Sequence, residues 1–317
     1  MPFKRFLLFL FLSLMAALAT IAVLPGLGLA RANSEMVWVA YLYEHKEHIA
    51  ASIKGPRVLV VGGSATLHSF DSVTATQRLG MPVVNFGTHA SMGLDYLLER
   101  AQRVMRPGDT VLLAPEYDLL QQSDQPSSYR IQVVTFYDRS YIWKAPPRDW
   151  AGYLFGYDVI PSIFEALKVK LRGPVPIPYD LVQDNLGNNR GYTVARSIGR
   201  QQLPALSPVS PRPITPQARN ALMNFSAAAA ARHVKLFVMP VTLVHAESYP
   251  GRMYEDYLAA LPPVYAGMGL TMLGTPAMAF LTPEEIHDVP HHANDPGRAR
   301  YTNAMLDQLC RYVACRE

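Results

Sequence analysis

Residues 6–24, FLLFLFLSLMAALATIAVL, run for nineteen positions without a charge, directly after Lys4 and Arg5. As a helix this segment reaches about 28 Å, close to the hydrocarbon thickness of a bilayer. Pro25, Gly26 and Gly28 break it, and Ala30-Arg31-Ala32 offers a small-x-small cleavage site. Residues 1–32 therefore read as a signal anchor or a cleaved signal peptide, with a buried core helix as the third reading. Positive charge ahead of the span keeps the N-terminus inside under both membrane readings. Residues 33–317 are then expected outside the cytoplasmic membrane, periplasmic if the leader is removed.

Beyond the leader the pattern alternates. Residues 34–53 read as a helix leading away from the membrane. RVLVVGGS (57–64) is a β-branched run that ends in a tight turn, the mark of a buried parallel strand. MPVVNFG (81–87) is a second strand closed by glycine, and LDYLLERAQRVM (94–105) an amphipathic helix stopped by Pro107-Gly108-Asp109. TVLLAPEYD (110–118) and HVKLFVMPV (233–241) read as further strands, and TNAMLDQLCRYV (302–313) as a closing helix. Strands are placed at 57–62, 82–85, 110–115 and 234–239. Such alternation predicts an α/β fold with a mainly parallel sheet and helices on both faces. Between 172 and 216 the rhythm stops: Pro174, Pro176, Pro178, Pro204, Pro208, Pro211, Pro213 and Pro216 accompany GNNRG at 187–191. Core elements do not tolerate that density of proline, so this stretch reads as a surface insertion near the mouth of a site. It leaves room for a second compact domain within 33–317.

Composition narrows the function. With half of 317 residues hydrophobic and 17% charged, the chain has the apolar mass for a sizeable core, which excludes disorder, collagen and coiled coil. The formal charge is +4; removing Lys4, Arg5 and Arg31, which have no acid among the first 32 residues, leaves +1. No basic stripe is present, so nucleic acid is not an expected partner. Two cysteines, Cys310 and Cys315, exclude a disulfide scaffold and a Cys₄ zinc site; they stand as a pair or as two thiols.

In doubly wound sheets ligands bind at the carboxyl ends of the strands. VLVVGGS places the Ser64 hydroxyl there, on a tight turn at the start of a helix; it is either a nucleophile or a helix cap. A nucleophilic serine needs a base, and the informative histidines lie in HDVPHHANDPG (287–297), where Asp288 precedes His291 by three residues and His292 by four. One short loop can then hold an imidazole against a carboxylate for acid–base work, against zinc ligation or a solvated loop as alternatives. Asn85, Glu116 and Tyr117 stand at strand ends as candidates for substrate contact. His89, two residues beyond Gly87, reads as part of a solvated loop or as lining the mouth of the site, Asp71 and Ser72 read as caps or packing, and Trp143 and Trp150 among basic residues could stack on a sugar or simply be buried.

VLVVGGSATLHSFDS (58–72), PVVNFG (82–87) and Asp288 with His292-x-Asn294 and Gly297 resemble the SGNH (GDSL-type) hydrolase superfamily, and within it the membrane-anchored SGNH-like proteins of bacteria. The resemblance covers roughly residues 35–118 and 230–313. It implies a flavodoxin-like three-layer α/β/α fold without a cofactor or metal, and esterase or acyl-transfer chemistry, often on carbohydrate. Ser64 matches the nucleophile, Asp288 and His292 the rest of the triad, and the Ser64 and Gly87 backbone N–H groups the oxyanion hole. The chain departs from the pattern in three places. Gly-Gly-Ser replaces Gly-Asp-Ser, and the usual Asp–His spacing selects His291 where the His-x-Asn-x-x-Gly context selects His292. APEYD (114–118) replaces the block that carries the oxyanion-hole asparagine, putting Glu116 where a donor belongs. Two functions are thus expected: an extracytoplasmic serine esterase or O-acyltransferase acting on an acylated cell-envelope glycan or small ester, or a catalytically inactive SGNH-like scaffold among envelope polysaccharide assembly proteins.

Overall fold

The computed structural model describes residues 2–122, 125–174, 184–190, 192–197, 213–245 and 251–316. Much of the proline-rich insertion, including Pro176, Pro178, Pro204, Pro208 and Pro211, lies outside the described residues. The chain divides into two compact units, Met1–Tyr41 with Gln125–Pro178, and Leu42–Asp124 with Tyr179–Glu317.

The first unit is helical. The apolar run forms α1 (Pro2–Val23), whose stretch Phe3–Val23 is long and apolar enough to cross a membrane and is not buried against the protein. α2 (Ser34–Ser52) begins in this unit and ends in the second. α7 (Ser128–Tyr137), α8 (Trp150–Phe155) and α9 (Val159–Arg172) complete it. A helix end leaves its last carbonyls without partners. Those of α1 are met by Arg139, whose Nη2 donates to the Ala22 carbonyl at 2.8 Å, and by the Tyr157 hydroxyl, which donates to the Ile21 carbonyl at 2.6 Å. The Arg31 N–H then donates to the Ser162 carbonyl at 2.9 Å, tying the segment after α1 to α9.

The second unit carries the sheet. Its strands are β1 (Val58–Gly62), β2 (Val83–Asn85), β3 (Thr110–Ala114), β4 (Lys235–Val238) and β6 (Thr271–Met272), all parallel, in the order β2-β1-β3-β4-β6. A separate parallel pair, β5 (Leu243–Val244) with β7 (Phe280–Leu281), lies outside it. β1 and β3 are buried at every position, which is why their sequences are continuously apolar and not alternating. The chain moves outward from β1 to β2 and then reverses to β3. With right-handed crossovers, this sends α3 (Ser64–Ser69) and α4 (Ser72–Leu79) to one face and α5 (Leu94–Val104) to the other. α12 (Asp295–Leu309) joins α3 and α4, and α10 (Pro216–Ala231) joins α5. α6 (Tyr117–Gln121) follows β3, and α11 (Gly251–Ala266) leads to β6. The expected α/β architecture is therefore present. The strands differ from the sequence expectation by a residue at most of their ends, and β6, only two residues long, has no strand signal of its own. Cys310 and Cys315 are bonded as a disulfide beyond α12.

At the amino ends of the strands, Arg57 and Asp109 are both buried and form an ion pair at 3.2 Å. Asp109 also accepts from the Arg106 N–H, and Arg57 donates to the Val104 carbonyl, so the pair fastens the end of α5 to β1 and β3. Removing one partner leaves an uncompensated buried charge. Asp109→Ala is expected to lower the free energy of unfolding by about 3–5 kcal/mol in urea titration, more than an ordinary surface substitution.

Candidate active site

The β1–α3 turn is built by close approach. A Cβ at Gly63 would stand 2.5 Å from Glu116 Oε1 and 2.8 Å from the Ala90 Cα, so only glycine fits. A Cβ at Gly87 would stand 2.4 Å from the Leu67 nitrogen, which lets the end of β2 press against α3. Into the space at Gly63 comes the buried carboxylate of Glu116, two residues past the end of β3 and directly before α6. Its Oε2 accepts from the Gly63 N–H and its Oε1 from the Ala65 N–H, both at 2.9 Å. Burial pushes the Glu116 carboxyl pKa up, while these amides and His292 pull the other way.

Ser64 lies between the two amides that Glu116 holds. It is half-buried, and its hydroxyl makes no hydrogen bond to a described residue. His68, one turn along α3 on the same face, stands with its ring centroid 4.5 Å from that of His292. His292 Nδ1 lies 2.7 Å from Asp288 Oδ1, and the Tyr192 hydroxyl donates to Asp288 Oδ2 at 2.9 Å. Burial alone would raise the Asp288 carboxyl; the His292 and Tyr192 hydrogen bonds bring it below its ordinary value. An ionised carboxylate only accepts, so Nδ1 is the nitrogen that carries the proton, and in the neutral tautomer Nε2 is the one left to accept. No hydrogen bond joins Ser64 Oγ to His292.

Asp288 therefore takes His292 and not His291 as its partner. The half-buried His291 sets Nδ1 at 3.0 Å from the Thr242 carbonyl, and its own carbonyl accepts from Ser69 and Thr242. The other strand-end candidates are occupied too. The Gly87 N–H donates to Asn85 Oδ1 at 3.0 Å, so in this structure it is not open to an oxyanion. Asn85, fully buried, donates through Nδ2 to the Thr66 and Phe70 carbonyls and pins α3. The buried Tyr117 hydroxyl donates to the Val241 carbonyl. Asp71 caps α4, accepting from the Val73 and Thr74 N–H groups. Trp143 and Trp150 pack edge to face on each other in the first unit. Among the described residues no group of three or more His, Cys, Asp or Glu side chains is arranged to hold a metal ion.

Two residues of the site, Tyr192 and Asn189, have no sequence signal that sets them apart. Tyr192, just after GNNRG, stacks on His68 at 3.7 Å and on His287 at 3.8 Å. Asn189 Nδ2 lies 3.0 Å from His68 Nδ1. The described part of the insertion is thus a wall of the site, locked to α4 by Asn188, which accepts from the Ser72 N–H, and by Arg190, which bridges Asp71 and Asp184. The spacing Ser64–His68 was the one available pointer, since residues four apart share a helix face.

Searched against known proteins, the chain matches no family model and no curated protein.

Burial holds several imidazoles neutral. It drives His68 well below its ordinary pKa, with His292 adding to the effect, and lowers His89 to about 4. An imidazole whose folded pKa is depressed contributes stability that is present above its unfolded value of 6.5 and lost as pH falls below it. The free energy of unfolding by urea is therefore expected to fall as pH drops from 6.5 towards 4. In the His68→Phe chain, which keeps the stack on Tyr192 but cannot titrate, that fall is expected to be smaller.

Proposed function

We propose that the second unit is an SGNH-type serine esterase or O-acyltransferase, held outside the cytoplasm by α1 and acting on an acylated carbohydrate of the cell envelope. The observation that carries this reading is the Asp288–His292 pair, 2.7 Å apart, set beside the α3 face that bears Ser64 and His68. Ser64 Oγ attacks the ester carbonyl and His292 Nε2 takes its proton, while Asp288 holds the imidazole in the required tautomer. The tetrahedral intermediate expels the alcohol, which receives the proton from His292 and leaves an acyl-Ser64. Water or a glycan hydroxyl then gives up its proton to His292 and attacks the acyl group; the acyl–Oγ bond breaks, and Ser64 Oγ takes that proton from His292, restoring both groups. Hydrogen bonds of this kind are often long before substrate binds, so an unjoined Ser64 fits the reading. The charge of α1 and the Cys310–Cys315 disulfide both suit a domain outside the cytoplasm.

One observation favours a second reading. Glu116 occupies the amides on both sides of Ser64, and Asn85 occupies that of Gly87. With those donors taken, the Ser64 N–H remains as the oxyanion donor, and a carboxylate faces the developing negative charge. In the extreme this makes a non-catalytic SGNH-like module that binds glycan or tethers an assembly partner. In the catalytic reading it makes a slow enzyme, since one lost donor costs about 10²–10³ in rate.

Hydrolysis of an activated acetyl ester by the purified chain separates the two. Slow turnover is expected in the wild type, falling to the uncatalysed background in Ser64→Ala and by about 10²–10⁴ or to background in His292→Ala. Equal rates in all three proteins would replace the enzyme with the binding module.

A further inference from the structure

The least explained surface of the molecule is α9. Of its fourteen residues only Ser162 is buried. Ile160 is 68% exposed, Phe164 64% and Leu171 75%, with Ile163 and Leu167 also open. These positions are not scattered. At about 100° per residue they fall within a stripe of roughly 100° on the helix, on the side away from Ser162 and Val169. Lys168 and Lys170 project about 80° to either side of that stripe, and Arg172 closes the last turn. A helix with an outward apolar stripe edged by lysines is the arrangement that lies in a membrane interface, the aliphatic side chains in the acyl boundary and the ammonium groups reaching anionic headgroups.

Where this helix is tied supplies the second argument. The Ser162 carbonyl, on its first turns, accepts from the Arg31 N–H, eight residues beyond the end of α1. The last carbonyls of α1 are themselves held by Arg139 and by Tyr157, two residues before α9 begins. The point where the apolar helix ends and the root of α9 thus belong to one hydrogen-bonded cluster within the first unit. Trp143, 66% exposed in that unit, is of the residue type enriched at the membrane–water boundary.

We infer that α9 is an interfacial helix that lays its Ile160–Phe164–Leu171 stripe on the outer surface of an anionic bilayer. The inference rests on the reading of α1 as a membrane span. It makes the first unit a foot on the membrane, holding the root of the span through two independent contacts with lipid.

The test uses the full-length chain reconstituted in vesicles of phosphatidylethanolamine and phosphatidylglycerol, with an environment-sensitive thiol fluorophore at one site per protein. The Cys310–Cys315 disulfide is left oxidised. Labels are placed at Phe164→Cys on the stripe, Glu165→Cys off the stripe, and Leu14→Cys in α1. An apolar face sinks about 5–10 Å into the headgroup boundary, so lipids carrying a nitroxide near the headgroup should quench the Phe164 label at least about twofold more than the Glu165 label. A Phe164 label as wet as the Glu165 label, with the Leu14 label quenched by deep nitroxides, would overturn the inference and leave the span intact. If neither the Leu14 nor the Phe164 label responds to nitroxide lipids, the span reading falls and this inference with it. A Phe164 label that is blue-shifted in detergent in proportion to protein concentration, and insensitive to nitroxide lipid, would assign the stripe to a second copy of the chain.

Discussion

The site depends on the absence of a side chain at Gly63. With any Cβ there, Glu116 could not reach the amides of residues 63 and 65, and the loop at Ala90 could not close against the turn. Because the space is kept, one carboxylate from the end of β3 joins the turn after β1 to the first turn of α3. The N-terminal amides of a helix attract anions, so a buried acid is held there by complementary partial charge. The same contact fixes the position of Ser64 and takes away donors that would serve its chemistry. In the proposed reaction, structure and reactivity are set by one interaction and pull in opposite directions.

The second determinant is the aromatic and imidazole stack over α3. Tyr192 is gripped between His68 and His287 while its hydroxyl donates to Asp288. Asp288 thereby has both oxygens engaged, one by Tyr192 and one by His292, and the carboxylate cannot turn away from the imidazole. Orientation of the His292 ring comes in part from a residue remote in sequence, a tyrosine of the proline-rich insertion. The insertion is thus part of the site in its described portion, through Asn188, Asn189, Arg190 and Tyr192.

Much of the fold was legible because its signals are local. The continuous apolar runs at 58–62, closed by Gly62-Gly63, and at 110–114 mark buried parallel strands, and the uncharged run after Arg5 marks α1. Ser64, Asp288 and His292 were legible because a turn and a short loop confine them in sequence. Tyr192 and Asn189 were not, since their role comes from contacts across more than a hundred residues of chain to His68. Gly87 and Asn85 were legible as strand-end residues, but no sequence pattern indicates that the Asn85 side chain turns back onto the Gly87 amide. The helices of the first unit gave no strand to anchor a reading, and the outward stripe of α9 emerges only once burial shows which face the protein leaves uncovered.

The most direct measurement is the covalent labelling of Ser64 by a serine-directed fluorophosphonate, followed by peptide mass. The account predicts a slow adduct on Ser64 that is lost in His292→Ala. It also predicts that Glu116→Gln, which removes the opposing charge and lets go of one of the two backbone N–H groups that the carboxylate holds, forms the adduct faster than the wild type. An adduct absent from Ser64 in both the wild type and Glu116→Gln would contradict it.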